Sequence, residues 1–245
     1  MSKENIVCGK RVIREILKTK IDIETLYISK NMKQENIKDI LDKVKNRSIK
    51  IKYVYSNDIE NICNTKAHQG IVAKISNYRY YKFQEFINKL KKEKLPILLI
   101  LDGIQDPQNL GAIFRSAECM GIKNIVVPQK RSSNITDAVW KSSMGALAYL
   151  NICRTNNLVN VVKKLKDEKF KIVATTIDAP RKIYEENYKF PIAIIMGNEH
   201  KGVSDELLKY CDIKINIPMY GNITSFNVSV ASGIVMYEIK KQRGE

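Results

Sequence analysis

Five short runs in the later part of the chain are apolar without interruption: PILLILD (96–102), NIVVP (124–128), KIVATTI (171–177), IAIIMG (192–197) and IKINIP (213–218). A strand with one wet face alternates apolar and polar residues, so unbroken runs of this length predict strands buried on both faces of a parallel sheet. Between them the apolar spacing lengthens to that of helices, in NLGAIFRSAECMG (109–121), LVNVVKKLKDE (158–168), SDELLKYC (204–211) and NVSVASGIVMYEIKKQ (227–242). Gly121 suits a C-cap and Ser204 an N-cap. The predicted architecture is α/β with helices on both faces, and ligands of such sheets bind beyond the carboxyl ends of the strands. The earlier part is a smaller mixed α/β unit. GKRVIREILKT (9–19) and NIKDILDKVKN (36–46) have helical spacing, and ETLYIS, KIKYVYS and GIVAKIS read as strands.

Composition changes between the two parts. The stretch YRYYKFQEFINKLKKEK (78–94) is aromatic and basic and predicts a linker helix, which places one domain at 1–77 and another at 95–245. The chain has 245 residues and a formal charge of +16, and residues 1–77 alone carry 16 basic and 9 acidic side chains. That excess favours a polyanionic partner, nucleic acid above all, with much of the recognition in the first domain. The five cysteines are scattered singly without a CxxC pair, so reduced thiols are expected rather than disulfides or a zinc site, and no metal is expected. The first residues lack a signal-peptide apolar core, and no apolar run approaches the ~20 residues of a membrane span. A cytoplasmic protein away from membranes is the expectation.

Candidate chemistry lies in three loops, each after a buried strand. The first is a DxxxDPxNxGxxxR pattern of Asp102, Asp106, Pro107, Asn109, Gly111 and Arg115. Pro107 suits a helix start, and Gly111 and Arg115, four apart, share a helical face. Arg115 either faces a ligand or pairs with Asp102 or Asp106. The second loop, GNEHKG, sets Gly197 and Gly202 around Glu199 in a tight turn that exposes backbone groups. His200 beside it is either a general base or a solvated loop residue. The third holds Ser225 and Asn227 at the mouth of the last helix, where they cap it or orient a substrate. There is no GxxxxGK[ST], no GxGxxG, no HExxH and no GxSxG, which removes the standard triphosphate, dinucleotide, metal-protease and serine-hydrolase readings.

In this order the segments DPQNLGAIFRSAE, IIMGNEHKGVSDEL and INIPMYGNITSFNVSVASGI resemble the three motifs of the SpoU (TrmH) family of RNA ribose 2′-O-methyltransferases, within the SPOUT superfamily. VCGKRVIREIL and HQGIVAKI resemble the small L30e-like RNA-binding domain of the branch that acts on large-subunit ribosomal RNA. The chain departs from the family pattern at His200, Phe226 and Arg11. The resemblance implies a C-terminal parallel-sheet domain with a trefoil knot, homodimerisation there, and S-adenosylmethionine held largely by backbone groups. Carried onto this chain, it assigns cofactor contacts to Thr175, Gly197, Asn198, Ile217, Met219, Ser225 and Phe226. It assigns catalysis to Arg115, with Asn109, Glu199, Ser225 and Asn227 as positioning groups. Because an Arg is a poor base, Arg115 is expected to bind the neighbouring phosphate and polarise the hydroxyl. The implied activity is 2′-O-methylation of a guanosine in 23S ribosomal RNA. A transfer-RNA enzyme of the same family and a non-catalytic ribosome-assembly protein remain open alternatives.

Overall fold

The computed structural model describes residues 5–199 and 201–245. By contacts the chain divides into two units, Met1–Arg79 with Asn134–Tyr149, and Tyr80–Ser133 with Leu150–Glu245. The segment 134–149, which composition groups with the C-terminal part, thus packs with the N-terminal one.

In the first unit, strands β1 (Ile6–Cys8), β2 (Ile23–Ser29), β3 (Lys50–Val54) and β4 (Ile71–Ile75) form a sheet in the order β1-β4-β2-β3. β4 runs antiparallel to β1 and β2, while β2 and β3 are parallel. Helices α1 (Lys10–Ile16), α2 (Lys38–Asn46) and α3 (Ser56–Cys63) connect them, and α6 (Asp137–Ser142) completes the unit from far along the chain. The reason is a local set of partners. The Asp137 carboxylate accepts from the Cys8 backbone N–H at 2.9 Å and from its thiol at 3.0 Å, and Lys141 pairs with it at 2.8 Å. Burial, reinforced by that carboxylate, pushes the Cys8 thiol well above the ordinary thiol range. Trp140 is fully buried with Tyr78 edge-on, ring centroids 6.2 Å apart. Tyr149 donates to Glu15 at 2.7 Å.

The second unit is a seven-stranded sheet in the order β7-β6-β5-β10-β8-β11-β9, with every pairing parallel as the apolar runs predict. The strands are β5 (Ile97–Asp102), β6 (Asn124–Pro128), β7 (Asn151–Thr155), β8 (Lys171–Thr175), β9 (Arg181–Lys182), β10 (Ile192–Gly197) and β11 (Ile213–Asn216). On one face Leu98, Ile100, Ala193 and Ile195 share a core with Phe86, Ile87 and Leu90 of α4 (Phe83–Leu90), Val161, Val162 and Leu165 of α7 (Leu158–Asp167), and Leu207 of α8 (Asp205–Leu208). The predicted linker helix is therefore a core helix of this unit, its apolar face masked in the composition by flanking lysines.

Residues of the opposite parity, Leu99, Leu101, Ile194 and Met196, are just as buried. On that side α9 (Val228–Arg243) packs on β10, and α5 (Pro107–Cys119) packs on α9. Arg243 fixes the far end of α9. Its guanidinium donates to the carbonyls of Leu95, Tyr188 and Phe190, which precede β5 and β10. The N-terminus of α9 is thereby left at the opposite, carboxyl end of the strands. All five cysteines are free thiols, and burial pushes Cys153 and Cys211 up to about 11. No helix among the described residues is long and apolar enough to cross a membrane.

Candidate active site

The parallel register brings the three loops together. Asp102 at the end of β5 lies beside Gly197 at the end of β10, and Thr175 at the end of β8 lies beside Ile215 of β11. Four neighbouring strands therefore discharge their loops on one edge, where open α/β sheets bind ligands.

The loop after β5 turns into α5 by way of Asp106, whose carboxylate accepts from the N–H groups of Gln108 (3.1 Å) and Asn109 (3.2 Å), with Pro107 at the first helical position. Asp102 accepts from the Ser204 N–H at 2.9 Å, which ties this loop to the one after β10. Ser204 stands at the N-cap of α8, as expected, but its hydroxyl makes no capping bond. Both carboxylates that might have held Arg115 are thus engaged elsewhere. Arg115 is exposed and has no ion pair among the described residues.

The loop after β10 closes on itself through paired backbone bonds, Asn198 N–H to the Gly202 carbonyl at 3.1 Å and Gly202 N–H to the Asn198 carbonyl at 2.8 Å. The Asn198 amide also donates to the Gly103 carbonyl at 2.8 Å. A Cβ on Gly197 would overlap the backbone of Gly202 and Val203, so only glycine permits this closure. His200 lies outside the described residues.

The third loop ends at Asn227, which caps α9: its side-chain oxygen accepts from Ser229 N–H at 2.9 Å and Val230 N–H at 3.4 Å. The same residue's amide donates to Asn109 Oδ1 at 3.0 Å and to Glu199 Oε1 at 3.1 Å, and the Asn109 amide donates to that same Glu199 oxygen. Asn109, Glu199 and Asn227 thereby form a closed triangle of hydrogen bonds, one corner from each loop. Asn227 thus caps the helix with its oxygen and joins Asn109 and Glu199 with its amide. Ser225 is exposed and takes no part in the triangle.

Beside the triangle is a cavity of about 380 Å³. Thr175, Gly197, Asn198, Ile217, Met219, Ser225 and Phe226 all line it, as does Glu199. Asn109 and Asn227 reach it only through Glu199, and Arg115 is not part of its wall. Sequence reasoning did not single out Asp178, Lys201 and Asp205, which also line it. The available signal was position: 176–178 follows a buried strand just as the other three loops do. The lining mixes apolar side chains and backbone groups with the carboxylates of Asp178, Glu199 and Asp205 and the single ammonium of Lys201, a net negative wall suited to a small cationic ligand with an apolar body. No cluster of potential metal ligands occurs among the described residues.

Comparison with known proteins agrees with this arrangement. Residues 96–237 match the SpoU rRNA Methylase family, and residues 6–81 match the RNA 2′-O ribose methyltransferase substrate binding domain. A Staphylococcus saprophyticus protein assigned to the TrmH family of tRNA/rRNA methyltransferases is 34% identical over 98% of this chain and 97% of its own. Among solved structures, the SpoU methyltransferase AviRb of Streptomyces viridochromogenes in complex with AdoMet superposes with a TM-score of 0.82 at 20% identity, covering 97% of this chain and 90% of that one. An AdoMet-bound rRNA methyltransferase of Sinorhizobium meliloti gives 0.81 at 22% identity, covering 96% and 86%.

Proposed function

Because this chain belongs to the SpoU methylase family, we propose that it methylates the ribose 2′-hydroxyl of a guanosine in 23S ribosomal RNA. Membership itself makes it an RNA methyltransferase whose donor is S-adenosylmethionine. The observation that carries the site assignment is the triangle of Asn109, Glu199 and Asn227 closed against a cavity of suitable size and charge.

The cavity fits the donor. Its volume lies in the range of small-molecule sites, and Asp178, Glu199 and Asp205 oppose the positive charges of a sulfonium and an ammonium. When bound, S-adenosylmethionine supplies a methyl group activated for displacement. Gly197 and Asn198 would present backbone groups to it, and Ile217, Met219 and Phe226 would form its apolar wall. Displacement requires in-line approach of the hydroxyl and loss of its proton. Glu199 Oε1 already holds two amides, which fixes the carboxylate and leaves Oε2 to accept from substrate. In this reading Arg115, exposed and without a carboxylate partner among the described residues, grips the phosphate beside the target ribose and polarises the hydroxyl.

Two observations favour ribosomal over transfer RNA. The substrate-binding match at residues 6–81 accompanies the catalytic one, and the rRNA methyltransferase of Sinorhizobium meliloti aligns over nearly the whole chain. Methyl-labelled S-adenosylmethionine incubated with the protein and either total ribosomal or total transfer RNA, followed by digestion to nucleosides, should give 2′-O-methylguanosine from the ribosomal sample alone. Label in transfer RNA would favour the tRNA alternative, and none in either sample would favour a non-catalytic assembly role.

The C-terminal trefoil knot implied by the family is part of the same reading, as is a homodimer built on it. The outer face of α9 carries Val230 and Tyr237, seven residues apart and both about half exposed, an apolar stripe suited to a second copy. Sedimentation should show a dimer, and Val230→Glu with Tyr237→Glu should shift it to monomer. A wild-type protein that is monomeric and active would remove the dimer from the reading.

A further inference from the structure

The first unit contains a feature that its fold does not require. β3 is an edge strand, so one side of its backbone is unpaired, and along it Lys50, Lys52, Tyr53 and then Tyr55 are exposed. Tyr53 is 49% and Tyr55 64% accessible, high values for aromatic rings flanking a sheet. The lysine at the end of the neighbouring strand, Lys30, places its ammonium 4.0 Å from the centre of the Tyr55 ring. Lys52 stands 5.9 Å above the ring of its cross-strand neighbour Tyr27. Among the described residues none of Lys30, Lys50 and Lys52 pairs with a carboxylate. The acidic group next in sequence, Asp58, is occupied by the Tyr55 N–H at 3.1 Å.

Lysines alone on an edge strand serve to deter pairing with another strand. Exposed tyrosines do the opposite, since they add sticky apolar area to that edge, so the combination needs another reason. Side chains alternate faces along a strand, so Tyr53 and Tyr55 fall on one side of the edge and Lys50 and Lys52 on the other, with Lys30 against one face of the Tyr55 ring. An unpaired nucleic-acid strand running along such an edge stacks bases on the rings while its phosphates meet the cations. A duplex, whose bases are stacked on one another, makes no use of the rings. We infer that the β3 edge, Lys50 to Tyr55 with Lys30 at its end, is a gripping strip for a single-stranded segment of the RNA substrate. This inference rests on the proposed RNA-methylating function and assigns the first unit's contribution to it. Tyr53 and Tyr55 stack two bases on one side of the edge, and Lys30, Lys50 and Lys52 hold phosphates of the same strand.

The full-length protein is titrated into a short fluorescein-labelled oligouridylate and into duplex RNA of equal length, with anisotropy followed at several salt concentrations. Tyr53→Ala with Tyr55→Ala should weaken single-strand binding by roughly tenfold or more for each ring lost and leave duplex binding within about twofold. Tyr53→Phe with Tyr55→Phe keeps the rings and should bind as wild type, which separates stacking from any loss of fold. Lys50→Gln with Lys52→Gln should flatten the salt dependence, reducing the slope of log K against log salt by about 1.4 for two phosphate contacts on a single strand. In methyl transfer the alanine pair should raise KM for RNA while kcat at saturating RNA stays near wild type.

Wild-type levels of single-strand binding in the alanine and glutamine variants would overturn the strip while leaving the enzymatic reading intact. If instead the wild-type protein neither binds nor methylates RNA, the functional reading itself fails. Glutamine variants that self-associate while binding RNA as wild type would show that the lysines only guard the edge, which also overturns the strip.

Discussion

Arg115→Ala should keep S-adenosylmethionine affinity within a few-fold of wild type and lower the single-turnover methyl-transfer rate by roughly a hundredfold or more, the scale of losing one positioned electrostatic group. The separation of the two effects follows from where Arg115 sits. It lies outside the cavity wall, exposed on α5, and the two carboxylates of its own loop are committed to Ser204 and to the start of the helix. Its removal therefore breaks no ion pair and opens no hole in the cavity. Arg115→Lys should recover little, because a point-charge ammonium does not reproduce the planar two-pronged contact with phosphate. Calorimetry of cofactor binding and single-turnover transfer at saturating RNA measure the two quantities. A near wild-type rate in the alanine variant would take Arg115 out of the chemistry and direct attention to Glu199 Oε2 as the proton acceptor.

Gly197→Ala should cost more still in cofactor binding, with affinity reduced by roughly a hundredfold or more and the melting temperature lowered. The added methyl would enter the backbone of Gly202 and Val203, and that neighbour cannot yield without breaking the paired bonds between Asn198 and Gly202. Opening them withdraws Gly197, Asn198 and Glu199 from the cavity together. Gly202→Ala is the control. A Cβ there meets nothing within 4 Å, and its only penalty is a backbone φ of +66, about 1–2 kcal/mol of strain for a residue with a side chain. The two glycines of one short motif thus serve different needs, close approach at the first and a left-handed turn at the second. Equal loss in both variants would mean that the loop responds to any substitution, and wild-type affinity in the Gly197→Ala variant would remove this loop from the cofactor site.

Most of the catalytic sheet is legible in the sequence because burial on both faces leaves unbroken apolar runs. β7 escapes that signal. It is an edge strand whose buried residues are only Ile152 and Cys153, between Asn151 and Arg154. β1, the three apolar residues IVC, is too short to show a period, and in α3 only Ile59 is fully buried, with Ile62 and Cys63 partly covered at its end. The three loops and their glycines are legible as local spacing. The triangle is not, because its corners lie 90 and 28 residues apart and meet only through the reordering of β5 and β10 in the sheet. The fourth loop, with Asp178, carries no spacing signature at all. Its place in the cavity follows from the position of β8 between β10 and β11.

The return of residues 134–149 to the first unit also has a bearing on the order in which the protein is made. A domain usually folds as soon as its last residue has been synthesised, N-terminal domains first. Here the N-terminal sheet is complete at Ile75, but Trp140 and the carboxylate for Cys8 are not yet in existence. At roughly 5–20 residues per second the remaining stretch to Tyr149 takes about 4–15 s, during which the four strands of that sheet wait without their closing helix. The nascent chain is then an open β-sheet with a vacant apolar slot, a form that chaperones bind and proteases cut. Synonymous codons that slow translation between 80 and 149 should therefore lower the yield of intact protein more than the same codons placed after 149.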